Sequence, residues 1–225
     1  ADLWDVIAAR GFEKEPFFEV AAVEIGSLPK LEGTTHVNMA LIVKFLKNYL
    51  FNPAEFPEIP RRDNLADDTF LFNQGPTRGL GDIQFHDYRL AYSEFDLPNI
   101  EVFKQQIERF RSWLVTAGPG KEQVRDIDYM LSVGELFSLV VYGQLILEKA
   151  AMEGTDAALL NQIFDVFVRD FSIYATTLHG KPGNSAEQQA LLLQLVKAPV
   201  ANPQEFDAVW RERVYSLNGV YDLAD

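Results

Sequence analysis

The chain has 225 residues, 48% of them hydrophobic, which is enough length and apolar content for a packed core and excludes a disordered tail. Its net charge of −13 lacks the basic footprint of a nucleic-acid binder and disfavours adsorption on anionic membranes. Cysteine is absent, which rules out disulfides, thiol catalysis and thiolate metal sites and is compatible with a cytoplasmic location.

The first residues, Ala-Asp-Leu-Trp, lack the basic-then-apolar order of a signal peptide. Residues 2–9 read as the last turns of a helix ended near Gly11. A chain that starts inside a helix, without an initiator Met, is expected to be the C-terminal piece of a longer protein. Pro16 opens the next helix, with Phe17, Phe18, Val20, Ala21 and Val23 apolar, and Gly26 and Pro29 are expected to stop it.

The turn Leu28-Pro29-Lys30-Leu31-Glu32-Gly33-Thr34-Thr35-His36-Val37-Asn38 then runs into a helix predicted over 35–50. That helix has only Lys44, Lys47 and Asn48 as a wet face, so burial between several neighbours is expected. Thr34 and Thr35 are both good N-caps, and a helix start offers free N–H groups to an electron-rich ligand. Glu32 sits between apolar Leu31 and Gly33, a glycine that lets a ligand or backbone come close. A carboxylate beside an apolar wall has its pKa raised, as a base for a weakly acidic proton requires. Read from the residues alone, the stretch is a capped helix start with a solvated Glu before it is a catalytic one.

Leu-Glu-Gly-Thr-Thr-His-Val-Asn resembles the Tyr-Glu-Gly-Thr-Ser-Gln-Ile-Gln type of segment in flavin-dependent acyl-CoA dehydrogenases. Upstream, Ala8-Ala9-Arg10-Gly11-Phe12 resembles the Gly-Gly-x-Gly-Phe/Tyr loop that precedes it in that family, at about the same interval. The resemblance covers residues 1–51. It implies Glu32 as the base that takes the substrate α-proton and Gly33 as a residue of the acyl-CoA site. It implies Thr34, Thr35 and His36 against the flavin, hence FAD as cofactor. In the family the upstream loop reaches the flavin of a neighbouring subunit, which implies a homo-oligomer. Here Ala8 and Ala9 stand in place of the paired glycines, and Asp5 in place of a Gln.

Residues 52–98 change character. Pro53, Pro57, Pro60, Pro76 and Pro98 punctuate them, and Phe51, Phe56, Phe70, Phe72, Phe85 and Tyr88 supply anchors. The expectation is an extended strap lying on helices, with a short helix near 86–95. The Gly-Leu-Gly within Gly75-Pro-Thr-Arg-Gly-Leu-Gly lacks the Gly-Lys-Ser/Thr ending of a phosphate loop and reads as a turn. Arg61, Arg62 and Arg78 could meet an anion, or pair with Asp63, Asp67 or Asp68.

From residue 99 the pattern is helical. Asn99 is expected to cap a helix whose Ile100, Phe103, Ile107, Phe110 and Leu114 recur at 3-4-3-4 spacing. A second helix is predicted over 122–152 and, being very apolar from 130 to 147, is placed centrally. The interruptions at Ser138, Gly143 and Gln144 leave no run long enough to span a bilayer. Glu135 and Tyr142 on it read as buried polar groups. Gly154 ends it, and Thr155 or Asp156 caps the third helix, with Leu160, Phe164, Phe167, Phe171, Tyr174 and Leu178 in register. Gly180 and Pro182 end that one.

Asn184 with Glu187 reads as a capping box for a fourth helix through 197, and Asn202-Pro203-Gln204-Glu205 as the start of a fifth. Short turns between long helices predict an up-and-down bundle over 99–217. The fold class is therefore all-α, in three parts: residues 1–51 as the end of an acyl-CoA dehydrogenase-like helical domain, 52–98 as connector, and 99–225 as an added bundle. With three histidines a histidine metal site is improbable in pattern, and no Ser/His/Asp arrangement is recognisable. Two functions remain. One is the C-terminal part of an acyl-CoA dehydrogenase-like flavoenzyme, inactive when isolated. The other is a non-catalytic module for assembly or partner docking.

Overall fold

A computed structural model describes residues 16–31, 34–55 and 83–219 of the chain, and among these residues there is no strand. The fold is all-α. The chain divides into two compact units, Ala1–Leu41 and Ile42–Asp225.

In the first unit, helix α1 spans Pro16–Leu31. It runs through Gly26 and Pro29, where the sequence predicted a stop. A Cβ at Gly26 would meet nothing within 4 Å, so the position makes no steric demand. Pro29 lies in the last turn, where its missing N–H interrupts the hydrogen bonding only just before the helix ends. Helix α2, Thr35–Ile42, follows. It buries none of its residues. Val37 is 54% exposed, against the burial that its apolar sequence predicted.

The second unit continues from a 3-10 turn, Val43–Phe45, into α3, Leu46–Phe51, so the helix predicted over 35–50 is three segments. Tyr49 and Leu50 are buried. Asn48 Nδ2 donates to the Ile83 carbonyl at 2.8 Å, and Ala54 N–H donates to the Phe85 carbonyl at 2.8 Å. These bonds hold residues 83–85 alongside α3, while residues 56–82 of the expected strap lie outside the described residues. The short helix α4, Arg89–Ser93, lies where one was predicted. Phe56, Phe70 and Phe72, the Arg61, Arg62 and Arg78 side chains and the 75–81 turn lie outside the described residues.

The bundle comprises α5 (Pro98–Ala117), α6 (Lys121–Arg125), α7 (Ile127–Glu153), α8 (Ala157–His179), α9 (Ala186–Leu193) and α10 (Pro203–Val209). A π turn, Trp210–Val214, and a 3-10 turn, Tyr215–Leu217, follow α10. Ile100, Phe103, Ile107 and Phe110 on α5 are buried, as their spacing predicted, and so are Leu160, Phe164, Phe167, Phe171 and Leu178 on α8. The Phe103 ring meets those of Phe164, Phe167 and Phe171 with centroids 5.5–5.6 Å apart. Burial of each such side chain contributes about 1.5–3 kcal/mol.

The central helix is α8, which packs against α5, α7, α9 and α10. The sequence placed α7 there instead. Helix α7 is the one helix among the described residues long and apolar enough to cross a membrane. Its inner face, with Tyr129, Val133, Leu136, Phe137, Val140 and Leu147, is buried in the bundle. Its outer face is apolar too, and Tyr142, read as buried from sequence, is 60% exposed. Apolar residues on both faces made the inner and outer sides of α7 look alike.

Local capping also differs from the sequence reading. Asp126 breaks the second predicted helix in two. Its carboxylate accepts from the N–H groups of Asp128 and Tyr129 at 3.0 and 3.3 Å and starts α7 there. Asn99 is not a cap. It is buried in the first turn of α5, where its N–H donates to Asn161 Oδ1 at 3.0 Å and its Oδ1 accepts from Val200 N–H at 2.7 Å. The cap of α9 is Ser185, boxed with Gln188, and α9 ends at Leu193. Asn184 instead accepts from the Tyr129 hydroxyl at 2.8 Å and donates to the Leu178 carbonyl at 2.7 Å. Gly154 ends α7 at φ 65° and Asn202 caps α10, as predicted, and of the two candidates Thr155 and Asp156 it is Asp156 that caps α8.

Candidate functional site

Of the residues singled out in the turn, Glu32 and Gly33 lie outside the described residues. Thr34, Thr35 and His36 are described, and all three are exposed. Thr34 Oγ1 accepts from the Val37 N–H at 3.4 Å, and its carbonyl accepts from Asn38 N–H at 3.1 Å. Thr34 is thus the cap of α2, and Thr35 and His36 form its first turn. This first turn presents two side-chain hydroxyls and an imidazole to solvent beside the positive end of the helix.

A second site lies wholly within the bundle unit, and the sequence reading did not find it. It is a cleft of about 550 Å³ between the 42–49 segment, residues 84–86 and the side of α7 that runs from Phe137 to Glu148. That volume is in the range of small-molecule sites. Phe137, Val141, Gln144 and Glu148 recur at 4-3-4 spacing, so one face of α7 carries the wall. Phe45, Tyr49 and Phe85 come from the other side. Tyr49 and Phe85 rings meet edge to face at 5.6 Å, and Tyr49 and Phe137 at 5.3 Å. The two backbone-pinning bonds from Asn48 and Ala54 place Phe85 there.

The polar groups of the cleft form a chain. The Tyr49 hydroxyl donates to Gln144 Oε1, and Gln144 Nε2 donates to Glu148 Oε1 at 2.6 Å. Burial, followed by the influence of Tyr88, Glu148 and Asp87, pushes the Tyr49 hydroxyl well above its ordinary value. It is therefore a neutral donor at any ordinary pH and no base. Burial likewise pushes Tyr88, stacked on Tyr49 at 5.2 Å, up to about 12. Beside the cleft, Asp87 is held below the usual carboxylate range by hydrogen bonds from Arg89, at 2.8 Å from Nε and 2.6 Å from Nη2. The Asp87 carboxylate is thus occupied by Arg89.

One sequence signal did point to the cleft. Ser138 and Gln144, noticed as interruptions in an apolar run, both line it. Glu135, by contrast, is half-buried, and burial raises its carboxyl pKa. No family model matches the chain, and no curated protein or solved structure matches it either.

Proposed function

We propose that the chain is the C-terminal part of an acyl-CoA dehydrogenase-like flavoenzyme that dehydrogenates an acyl-CoA thioester between Cα and Cβ. The observation that carries this reading is the Leu31-Glu32-Gly33-Thr34-Thr35-His36 segment, set at the family's interval after the Arg10-Gly11-Phe12 loop. In this reading Glu32 takes the α-proton, and Gly33 lets the thioester come close to the backbone. Hydrogen bonds to the thioester carbonyl stabilise the developing enolate, and their donors come from polypeptide ahead of residue 1.

The exposed first turn of α2 is compatible with a flavin: Thr34, Thr35 and His36 are open to solvent and sit at a helix start. These three residues would contact it; FAD, when bound, accepts the hydride that leaves Cβ. Most of the flavin and substrate sites lie outside this chain, so the chain alone is inactive. The same reading makes the parent a cytoplasmic homo-oligomer.

In the intact parent, Glu32→Gln should lower turnover by orders of magnitude while the fold survives. An isolated 225-residue chain that is yellow and reduces a dye with acyl-CoA would overturn the prediction of inactivity. A second reading, a non-catalytic module for assembly or partner docking, is favoured by Ala8-Ala9 and by the exposed Val23, Ile25, Leu28 and Leu31 of α1. Under it Glu32→Gln changes no activity.

A further inference from the structure

We propose that the cleft beside α7 binds an organic cation with a hydrocarbon body. The inference is independent of Glu32, because the described residues that line the cleft all belong to the bundle unit.

Five aromatic rings line the cleft: Phe45, Tyr49, Phe85, Phe137 and Tyr142. Aromatic faces attract cations through the ring quadrupole, and cages of such rings are a recurrent way to hold quaternary ammonium groups. Ile42, Val141 and Leu145 add aliphatic surface to the wall, which suits a hydrocarbon body.

Charge then selects among apolar ligands. Glu148 lies at the cleft and is exposed. Gln144 holds its carboxylate through a 2.6 Å bond, and Tyr49 fixes Gln144 from the other end. No ion pair engages Glu148 among the described residues. Among the described residues the lining contains no Lys or Arg, and His86 is the one side chain there able to carry positive charge. An anionic ligand would face Glu148 without a fixed counter-charge, in a chain of net charge −13. A neutral ligand would gain apolar burial alone. A cation gains burial, ring contact and the carboxylate.

The test uses the full chain and three eight-carbon probes, octyltrimethylammonium, octanol and octanoate, titrated by calorimetry. The cation should bind at one site, about fivefold or more tighter than octanol, with octanoate weakest. Glu148→Gln should weaken the cation about fivefold and leave octanol unchanged. Leu145→Trp, which places a large ring at the cleft, should weaken cation and octanol together. Leu145 and Glu148 are both exposed, so both variants should keep the wild-type circular dichroism and melting. Equal binding of the three probes, no binding of the cation, or cation binding unaffected by either variant would each overturn the proposal.

Discussion

Gly143 shows how much a single missing Cβ can decide. A Cβ at this position would stand 2.3 Å from the Tyr92 hydroxyl oxygen. The hydroxyl occupies that space because it donates to the Val140 carbonyl at 2.8 Å. Tyr92 cannot swing away, since its buried ring sits among those of Tyr88, Phe103 and Phe164. In an open helix Gly→Ala would gain about 1 kcal/mol. Here overpacking costs about 1–3 kcal/mol, and a lost buried hydrogen bond about as much again. Gly143→Ala should therefore destabilise the chain by about 1–5 kcal/mol in urea unfolding. Adding Tyr92→Phe to Gly143→Ala should recover part of the loss by removing the oxygen. A stabilised Gly143→Ala chain would show that the ring is not held. The sequence displayed this glycine as a gap in an apolar run, but its partner lies elsewhere in the chain and was invisible. Asn99 misled for the same reason. A cap signal is local, while the groups it actually meets, on Asn161 and Val200, are 62 and 101 residues away.

Helix ends and helix faces were legible to different degrees. Ends written in a few adjacent residues were read correctly: Gly154 in its left-handed conformation, Asp156 and Asn202 as caps. The buried stripes of α5 and α8 were also legible, because one polar face makes the other unambiguous. Helix α7 has no such contrast, so neither its outer face nor its cleft could be assigned. Its start was missed because Asp126 falls inside a run of helix formers. Yet Asp126 fixes the geometry there: its carboxylate satisfies two otherwise free N–H groups of α7. Asp126→Ala should cost about 1 kcal/mol in urea unfolding, and Asp126→Asn or Asp126→Ser should retain most of the stability. If alanine is as good as asparagine, α6 and α7 are joined by packing and the cap is incidental. Of the proposed dehydrogenase residues, the cap Thr34 behaves as its sequence implied, while Glu32 and Gly33 still stand on the resemblance alone.

At the scale of the whole chain the apolar surface is unevenly spent. Every buried apolar side chain among the described residues lies between Tyr49 and Leu195. The first unit, by contrast, leaves Val23, Ile25, Leu28 and Leu31 exposed on one short helix. A folded chain rarely leaves such residues together on a surface unless something is to cover them. Composition could not reveal this, because it counts apolar residues without saying which are covered. The asymmetry has a measurable consequence. Phe164 is fully buried against the rings of Tyr92, Phe103 and Phe167. Phe164→Ala should cost about 3–5 kcal/mol and lower the bundle's melting temperature by roughly 10 °C. Leu28 is 63% exposed, so Leu28→Asp should leave that transition within about 0.5 kcal/mol of its original position. Leu28→Asp should instead reduce self-association at high concentration, read by sedimentation velocity, because it breaks the exposed row. A bundle transition that falls as far with Leu28→Asp as with Phe164→Ala would mean that Leu28 supports the core after all, and that its exposure is not what sets its role.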